Sequence, residues 1–330
     1  ARLDWLAGAF YYQEKANETL RNLFTLDSFG FITGNPNTPI TPTDIFTTFV
    51  PGLGIVSSQV PPRHVQALSR SMAIYGQVTW TPPVLKDRLE VTFGARYNED
   101  RRSGSRQEIG IDTFDIKTDN LDPTLTFNYY WAARTSTYIK WSTAYKAGGA
   151  NSRATKFSTY SPEEVETIEI GLKSEFWHQR LRINAAIFAT DYVDMQIDVS
   201  DPDNIALAET INGSQKVEVD GAEIAINIAA APGLAIGLSY TYLDGHMPAQ
   251  PNPLANGEPT QLQLAQTPKH AGALSLDYDF APWSFGALSL HLNATSTDHY
   301  AYTSVGGFRL DSYSLINGRI VLENIDLGAN

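Results

Sequence analysis

Residues 160–197, YSPEEVETIEIGLKSEFWHQRLRINAAIFATDYVDMQI, alternate apolar and polar side chains along two segments joined by a very short turn. One face of this stretch is apolar and carries Ile168, Ile170, Leu172, Leu181, Ile183, Ala185 and Ile187. The opposite face carries Glu169, Gly171, Lys173, Arg182, Asn184 and Thr190. A period of two over this length predicts an antiparallel hairpin that turns at about Trp177–Gln179.

The two predicted strands are long for a water-soluble protein, in which strands usually have about five or six residues. Their length matches the roughly 9–11 residues that a tilted strand needs to cross a bilayer. An apolar face toward lipid and a polar face toward a water-filled interior is the pattern of a transmembrane β-barrel. The stretch therefore predicts a membrane-spanning hairpin.

Composition narrows the class of protein. The 330-residue chain has a formal net charge of −12, which argues against nucleic acid as a partner. It contains no run of about 18 apolar residues, so the sequence predicts no transmembrane helix. Cysteine is absent, which excludes disulfides, thiolate chemistry and cysteine-ligated metals. The 16 Tyr, 15 Phe and 6 Trp would suit a barrel with aromatic girdles at both membrane interfaces.

The same alternation recurs along the whole chain and predicts twelve strands. They lie at about 4–14, 71–80, 88–100, 121–131, 136–146, 163–176, 181–193, 216–229, 234–245, 270–280, 285–296 and 312–323. Their connections alternate long and short; the long ones include 16–68, 101–117, 198–214 and 246–268. Outer-membrane barrels have short turns at one rim and long loops at the other, whereas a soluble sandwich has no such rule. The predicted fold is all-β, a transmembrane antiparallel up-and-down β-barrel.

Several motifs in this order resemble TonB-dependent outer-membrane receptors. The predicted strand and loop YIKWSTAYKAGGANSR, 138–153, resembles a Tyr-rich strand ending in Gly–aromatic–Lys–Ala–Gly–Gly, with Ala144 where the first Gly is expected. The further matching positions are Pro162–Glu163, Glu169–Lys173, Leu181–Asn184, Phe188, Asp191–Tyr192, Gln196, GARY at 94–97, DWLAGAFYY near the start and GAE at 221–223. The resemblance covers essentially the whole chain.

The resemblance implies a 22-stranded barrel in the outer membrane of a Gram-negative bacterium, with an N-terminal plug folded inside it. It implies uptake of a scarce nutrient, a ferric siderophore or similar iron chelate first, with haem, cobalamin or oligosaccharide as other cargoes. The implied partners are the TonB energy-transducing complex, outer-membrane lipid and the small-molecule substrate. A passive outer-membrane pore and a soluble β-rich binding protein or glycan hydrolase are the alternatives.

The chain departs from the family pattern at both ends. No plug or TonB box precedes Ala1, and the C-terminal residues LENIDLGAN lack the terminal aromatic strand of outer-membrane proteins. Residues 1–330 are therefore expected to be a partial barrel, about twelve of 22 strands, without the plug domain. A closed twelve-stranded barrel is the alternative, since even strand numbers from eight upward occur.

No enzyme motif stands out, and the sequence predicts a protein without catalytic activity, resident metal or cofactor. Motifs for serine nucleophiles, zinc peptidases and phosphate-binding loops are absent. The histidines lack ligand spacing and stand at 64, 178, 246, 270, 291 and 299. Asp198, Asp201, Asp203 and Asn204 offer oxygen ligands for Ca²⁺, although an Asx-rich turn is the preferred interpretation.

Charged side chains on the predicted inner faces are candidates for the barrel interior. They are Glu90, Arg96, Glu169, Lys173 and Arg182. A network of paired charges is favoured over a permeation path or plug contact, because a charge facing lipid costs about 2–4 kcal/mol at the midplane. Ser289, His291 and Asn293 alternate on one predicted face but lack the partner that nucleophilic catalysis requires.

Ligand contacts are expected on the long loops and the upper interior, because binding residues usually lie on loops held by a rigid scaffold. Tyrosine supplies stacking surface and arginine pairs with anions. The candidate ligand-binding residues are Tyr145, Arg153, Tyr160, Tyr192, Tyr300 and Tyr302.

Overall fold

A computed structural model describes residues 1–20, 45–50, 54–59, 63–108, 110–154, 157–200, 208–283, 286–304 and 307–325. Twelve of its strands form one antiparallel sheet. Numbered in chain order, these are β1 (Arg2–Leu20), β4 (Arg63–Thr81), β5 (Leu89–Gln107), β6 (Ile111–Ala132), β7 (Thr135–Lys146), β10 (Glu163–Phe176), β11 (Leu181–Val193), β14 (Val217–Ala231), β15 (Leu234–His246), β18 (His270–Asp279), β19 (Ala287–Thr297) and β22 (Tyr313–Glu323). All twelve predicted strands are thus confirmed.

The remaining strands are short and form two-stranded ribbons within the long connections. The ribbons are β2 (Ile45–Val50) with β3 (Gly54–Gln59), β8 (Gly149–Ala150) with β9 (Thr159–Tyr160), β12 (Gln196–Ser200) with β13 (Ala208–Asn212), β16 (Gln250–Pro251) with β17 (Pro259–Thr260), and β20 (Tyr300–Ala301) with β21 (Arg309–Leu310). Two three-residue 3₁₀ turns lie at Leu85–Asp87 and Pro253–Ala255. No helix in the described part of the chain is long and apolar enough to cross a membrane.

Each of the twelve sheet strands pairs with the next one along the chain, which makes the sheet an up-and-down meander. β1 lies at one end of the strand order and β22 at the other, and the pairings of the described residues do not join them. In the described residues the sheet is therefore open, and the alternative of a closed twelve-stranded barrel is not observed.

The strand register sorts the side chains of the sheet into two continuous faces. Phe93 pairs with Val78 and Leu125, and Ile170 pairs with Ile139 and Ile187, so apolar residues follow one another across the strands. We call this the apolar face; many of its side chains are exposed, among them Val78 at 41% and Ile187 at 58%. Residues one step along each strand form the polar face.

Small residues on the polar face make room for aromatic rings of the adjacent strand. Gly8 is directly opposite Tyr75, and Gly171 is directly opposite Tyr138. In both pairs the tyrosine ring occupies the space that a Cβ atom on the glycine would need. The rings therefore lie flat across the neighbouring strand and cover its backbone, which no side chain larger than hydrogen would permit.

The predicted hairpin and its short turn are confirmed. β10 ends at Phe176 and β11 begins at Leu181, and the Arg180 amide donates to the Trp177 carbonyl at 3.2 Å. At the turn between β14 and β15, Gly233 has a φ of +78°, and a Cβ atom there would strike the Asp279 carbonyl. Glycine is the residue that adopts this left-handed conformation without strain.

The expected loop at 101–117 is wrong, because β5 and β6 continue through it to Gln107 and Ile111. Cross-strand ion pairs line this extension, with Arg101 2.6 Å from Asp115 and Lys117 2.9 Å from Glu99. In the extension the register of the apolar face carries Arg101, Asp115 and Lys117, whereas Phe114 lies on the opposite face. The apolar alternation that marks a membrane strand therefore disappears although the pairing persists.

Candidate functional site

The long connection 147–162 packs onto the polar face of β5. The Arg102 guanidinium donates to the Ala147 carbonyl at 3.3 Å, and Arg106 donates to the Ala154 carbonyl at 2.6 Å. Arg106 is only 5% exposed. Charged donors on carbonyl oxygens form strong hydrogen bonds, so these two arginines hold the connection against the inside of the sheet.

The same connection is bonded to the β12–β13 ribbon. Asn151 donates to the Thr210 hydroxyl at 2.9 Å, and Ser158 donates to Glu209 at 2.9 Å. Glu209 is 4% exposed. The contact joins two connections that are consecutive along the chain.

Two amide side chains also hold the connection 147–162 and the β12–β13 ribbon together. The Asn212 side chain accepts from the Ser161 amide at 2.6 Å and donates to the Ser161 and Asp194 carbonyls at 2.9 and 2.8 Å. The Gln196 side chain donates to the Ala147 and Ser161 carbonyls at 3.1 and 3.0 Å. The Asn212 amide bonds backbone groups of both connections, and the Gln196 amide ties the second connection to two carbonyls of the first, which no apolar side chain could do.

A hydrophobic core connects the β12–β13 ribbon with the next connection, 247–269. Its buried members are Ile197, Val199, Val217, Met247 and Leu262, all at most 6% exposed. The expected polar loop at 198–214 is therefore wrong in part, because its first strand supplies core side chains. Alternation over the five residues of β12 is too short to be separated from chance in the sequence.

Buried amides complete the contact between these two connections. Gln250 and Asn252 are 0% exposed. Asn252 donates to the Ser200 carbonyl at 2.9 Å, and Gln250 accepts from the Gln215 amide at 3.2 Å. Buried polar groups are tolerated because their hydrogen bonds are made.

The connection around 299–310 docks on 247–269. The Gln266 amide donates to the Ala301 carbonyl at 2.7 Å, and Arg309 donates to the Gln263 side chain at 2.8 Å. We call the described parts of 147–162, 194–216, 247–269 and 299–310 the loop assembly. Four successive long connections thus form one packed unit at one end of the sheet.

A cavity of about 790 Å³ lies between the loop assembly and the polar faces of β11, β14 and β15. Its apolar lining includes Phe188, Tyr192, Met195, Met247, Leu264 and Phe308. Gln196 and Asp198 add polar groups. A partly apolar cavity with a few oriented polar groups, within about 300–1,000 Å³, is the usual form of a small-molecule site.

Of the six predicted ligand-binding residues, Tyr192 lines this cavity and the other five do not. Tyr300 lines a neighbouring cavity of about 390 Å³ together with Arg309. The side chain of Tyr302 is 56% exposed. The structure therefore places these three tyrosines within or beside the loop assembly but does not gather them at one point.

The other three predicted ligand-binding residues have local partners. The Tyr145 hydroxyl donates to the Asp100 carboxylate. The Tyr160 ring packs over Gly149, and burial raises the pKa of its phenol. Arg153 is exposed and lies 3.8 Å from Glu18.

The five predicted inner charges all lie on the polar face, and two of them share a tyrosine. Glu169 accepts from the Tyr138 hydroxyl at 2.6 Å, while the Lys173 ammonium lies 5.4 Å from the centre of the Tyr138 ring. Glu90 accepts from the Tyr130 hydroxyl at 2.9 Å. These side chains are held by neighbours on adjacent strands.

The two inner arginines have partners of different kinds. Arg96 donates to Asn98 at 2.6 Å and packs over the rings of Phe10 and Tyr75 at 5.4 and 5.5 Å. Arg182 pairs with Glu175 at 2.8 Å. The polar face therefore carries hydrogen-bonded and ring-packed charges.

The remaining sequence candidates also find local partners. The Ser289 hydroxyl donates to Asp279 at 2.7 Å, and His291 lies 2.6 Å from Asp277. Asp198 accepts from the Thr210 hydroxyl at 2.6 Å. The other members of the calcium candidate, Asp201, Asp203 and Asn204, lie outside the described residues. Within the described residues, no three His, Asp or Glu side chains are placed to hold a metal ion.

The sequence reasoning missed most residues of the cavity and of the loop assembly above it. Met195, Met247 and Phe308 lie in connections without regular alternation, and the buried Gln250 lies in a Pro- and Asn-rich segment. The sequence did contain a weak indication that these connections are packed. Apolar residues inside otherwise polar long connections are unusual unless the connection folds onto something.

Comparison with known proteins agrees with this architecture. Residues 3–328 match the family described as "TonB dependent receptor-like, beta-barrel". The chain is 32% identical to the "Probable TonB-dependent siderophore receptor PiuA" of Acinetobacter baumannii over 127 residues. The matched segment covers 37% of this chain and 16% of that protein.

Solved structures share the fold at low sequence identity. The siderophore receptor PiuA from Acinetobacter baumannii superposes with a TM-score of 0.72 at 18% identity, over 98% of this chain and 47% of PiuA. The ferric yersiniabactin uptake receptor FyuA from Yersinia pestis gives 0.70 at 18% identity, over 97% of this chain and 44% of FyuA. The chain thus spans less than half the length of these receptors.

The family match extends over nearly the entire chain, and the fold agrees along the same length. In this family the short turns lie on the periplasmic side, the long connections are extracellular, and the polar face lines the barrel interior. The chain belongs to the TonB-dependent receptor family and forms part of its outer-membrane β-barrel.

Proposed function

We propose that the protein of which this chain is part imports a ferric siderophore or similar iron chelate into the periplasm. The observation that carries the substrate class is the 32% identity to a protein named as a siderophore receptor. The loop assembly and its cavity supply a place for such a ligand, at the extracellular end of the sheet.

The loop assembly and the polar face of the sheet have different proposed roles. The loop assembly binds the ligand from outside, because its connections are fixed to one another and hold the cavity open. The hydrogen-bonded polar face lines the route inward. Energy for release and passage would come from TonB through a region outside residues 1–330. Binding and transport need no bond to be made or broken, so no catalytic residue is assigned.

The fold alone does not determine which metal the receptor transports. The copper transporter OprC superposes with a TM-score of 0.60 at 12% identity, over 84% of this chain and 43% of OprC. At this identity the likeness concerns the fold. Copper is therefore the appropriate control metal for any test of iron uptake.

The test uses the full-length receptor in its native outer membrane. Cells that lack other iron receptors should grow on the cognate ferric chelate only when this receptor and TonB are both present. The purified receptor should bind the ferric chelate, and free copper ions should not compete. TonB-independent growth together with steady conductance in planar bilayers would contradict the proposal and indicate a passive pore.

A further inference from the structure

The large cavity beneath the loop assembly has an unusual charge pattern for a site that binds an iron chelate. Among its described lining residues, Asp198 is the one charged side chain, and none is Lys, Arg or His. The rest of the lining is neutral polar or apolar. The described part of the lining therefore offers one negative charge and no cation to a ligand.

The position of Asp198 is fixed by its neighbours. Ile197 and Val199 on either side are 3% and 0% exposed in the hydrophobic core, which fixes β12 and places Asp198 on its opposite face. The Thr210 hydroxyl donates to this carboxylate at 2.6 Å from the paired strand. One neutral donor orients the carboxylate and leaves its charge uncompensated.

Three nearby cations bond groups outside the cavity lining, and Arg309, which follows Phe308 and lines the adjoining cavity, donates to the Gln263 side chain at 2.8 Å. Arg102 and Arg106 donate to backbone carbonyls of the connection 147–162. Lys216 lies 2.6 Å from Glu218 and 3.1 Å from Asp191, and these two carboxylates raise its pKa. Asp191 and Glu218 belong to the apolar-face register of their strands, so Lys216 is held on the outside of the sheet.

The apolar lining suits an uncharged ligand. Tyr192 on β11, Met247 at the edge of the core and Phe308 beyond β20 come from three different parts of the chain. Phe308 is 62% exposed, so its ring is available for contact rather than used in the core. Methionine side chains adapt to irregular apolar surfaces.

We infer that this cavity accepts the uncharged class of ferric chelates, such as trihydroxamates, and rejects polyanionic tricatecholates. This inference rests on the proposed iron-chelate uptake. Each hydroxamate gives up one proton to the iron, so three of them neutralise Fe³⁺. Each catecholate gives up two, which leaves the complex strongly negative. Placing that charge beside Asp198 with no cation to pair would cost desolvation and repulsion together.

The experiment measures equilibrium binding of a ferric trihydroxamate and a ferric tricatecholate to the full-length receptor by quenching of tryptophan fluorescence. The wild-type receptor should prefer the trihydroxamate. Asp198→Lys should raise tricatecholate affinity about tenfold, since a charge is reversed inside the cavity. Asp311→Lys, the same change at an exposed position outside the cavity lining, should leave both affinities unchanged.

A second variant keeps the test independent of Asp198. Phe308→Ala removes an exposed ring and should lower trihydroxamate affinity about tenfold while the fold is kept. A wild-type preference for the tricatecholate, or a tricatecholate affinity unchanged by Asp198→Lys together with a trihydroxamate affinity unchanged by Phe308→Ala, would overturn the inference and leave iron-chelate uptake standing. Binding of neither chelate would overturn both.

Discussion

The sheet and the loop assembly are stabilised in opposite ways. In the sheet, large apolar residues such as Ile187 and Ile320 are 58% and 73% exposed, and lipid covers them in the membrane. In the loop assembly, Val199 and Val217 are 0% exposed, and water is excluded by the protein itself. The sheet is thus stabilised by the lipid that covers its apolar face, whereas the loop assembly has a hydrophobic core of its own.

This difference assigns the role of scaffold to the sheet and the role of ligand specificity to the loop assembly. The sheet needs only the right class of residue at alternate positions, so its sequence can vary widely while the strands persist. The loop assembly needs particular amides and particular apolar side chains in contact. We therefore expect single substitutions in the loop assembly to alter ligand binding without disturbing the sheet.

The largest effect is expected in the core of the loop assembly. Leu262 is 2% exposed, and Leu262→Ala should destabilise the loop assembly by about 2–5 kcal/mol through lost contacts and a cavity. Amide hydrogen exchange should accelerate in 196–216 and 247–264 and remain slow in β10 and β11. Leu310→Ala, at a 43% exposed position, is the control. Equal acceleration in the sheet would show that the two regions are one cooperative unit.

A comparable effect is expected on the apolar face. Leu274 lies midway along β18 and is 49% exposed in the absence of lipid, and Leu274→Arg should destabilise the receptor by about 2–4 kcal/mol in vesicles. Ser275→Arg, one residue along on the polar face, is the matched control. Urea unfolding in lipid vesicles measures both. A larger loss for Ser275→Arg would reverse the assignment of the two faces.

A smaller effect is expected from a polar contact between two connections. Asn212→Ala leaves the Ser161 amide without its side-chain acceptor and should loosen the junction by about 1–3 kcal/mol. Limited proteolysis should then cut within 147–162 sooner, while the barrel stays intact. Asn317→Ala on β22, where the side chain is exposed, supplies the control. An unchanged cleavage rate would mean that Asn212 does not hold the connection.

The smallest effect is expected at the exposed Arg101–Asp115 pair of the β5–β6 extension, beyond the roughly 9–11 residues that cross the bilayer. The Arg101 hydrogen bond lowers the pKa of Asp115 below its ordinary value. The stabilisation is therefore present above the ordinary carboxyl pKa and disappears as the pH falls through the lowered one. A double-mutant cycle with Arg101→Gln and Asp115→Asn should show coupling near neutral pH that decreases progressively as the pH falls below the ordinary carboxyl pKa of about 4. Coupling that persists in acid would contradict this account.

The sheet could be predicted because the alternation of apolar and polar residues is visible within each strand by itself. In 160–197 every second residue reports the side of the sheet on which it lies, and all twelve strands were found in this way. The signal disappears outside the membrane, where both faces are wet. That is why the strand extension from 101 to 107 was predicted as a loop, although Arg101 and Asp115 pair across it.

The loop assembly could not be predicted, because its contacts join residues far apart in the chain. Asn252 bonds the Ser200 carbonyl and Asn151 bonds Thr210, and neither segment carries a pattern that specifies the other. Tyr192 was found because tyrosines near the long connections were selected for their stacking surface. Met247 and Phe308 were missed because they lie in irregular segments whose positions depend on the fold.

The central claim, that the sheet is a membrane wall with one lipid-facing and one water-facing side, has a direct test. Residues 1–330 contain no cysteine, so single cysteines can be placed in turn at 271–278 of the full-length receptor, with any cysteine outside 1–330 replaced, and spin-labelled in vesicles. Collision with a lipid-soluble relaxer should be high at Leu274, Leu276 and Tyr278 and low at Ala273, Ser275 and Asp277, with the reverse for a water-soluble relaxer. Accessibility without a period of two would contradict the account.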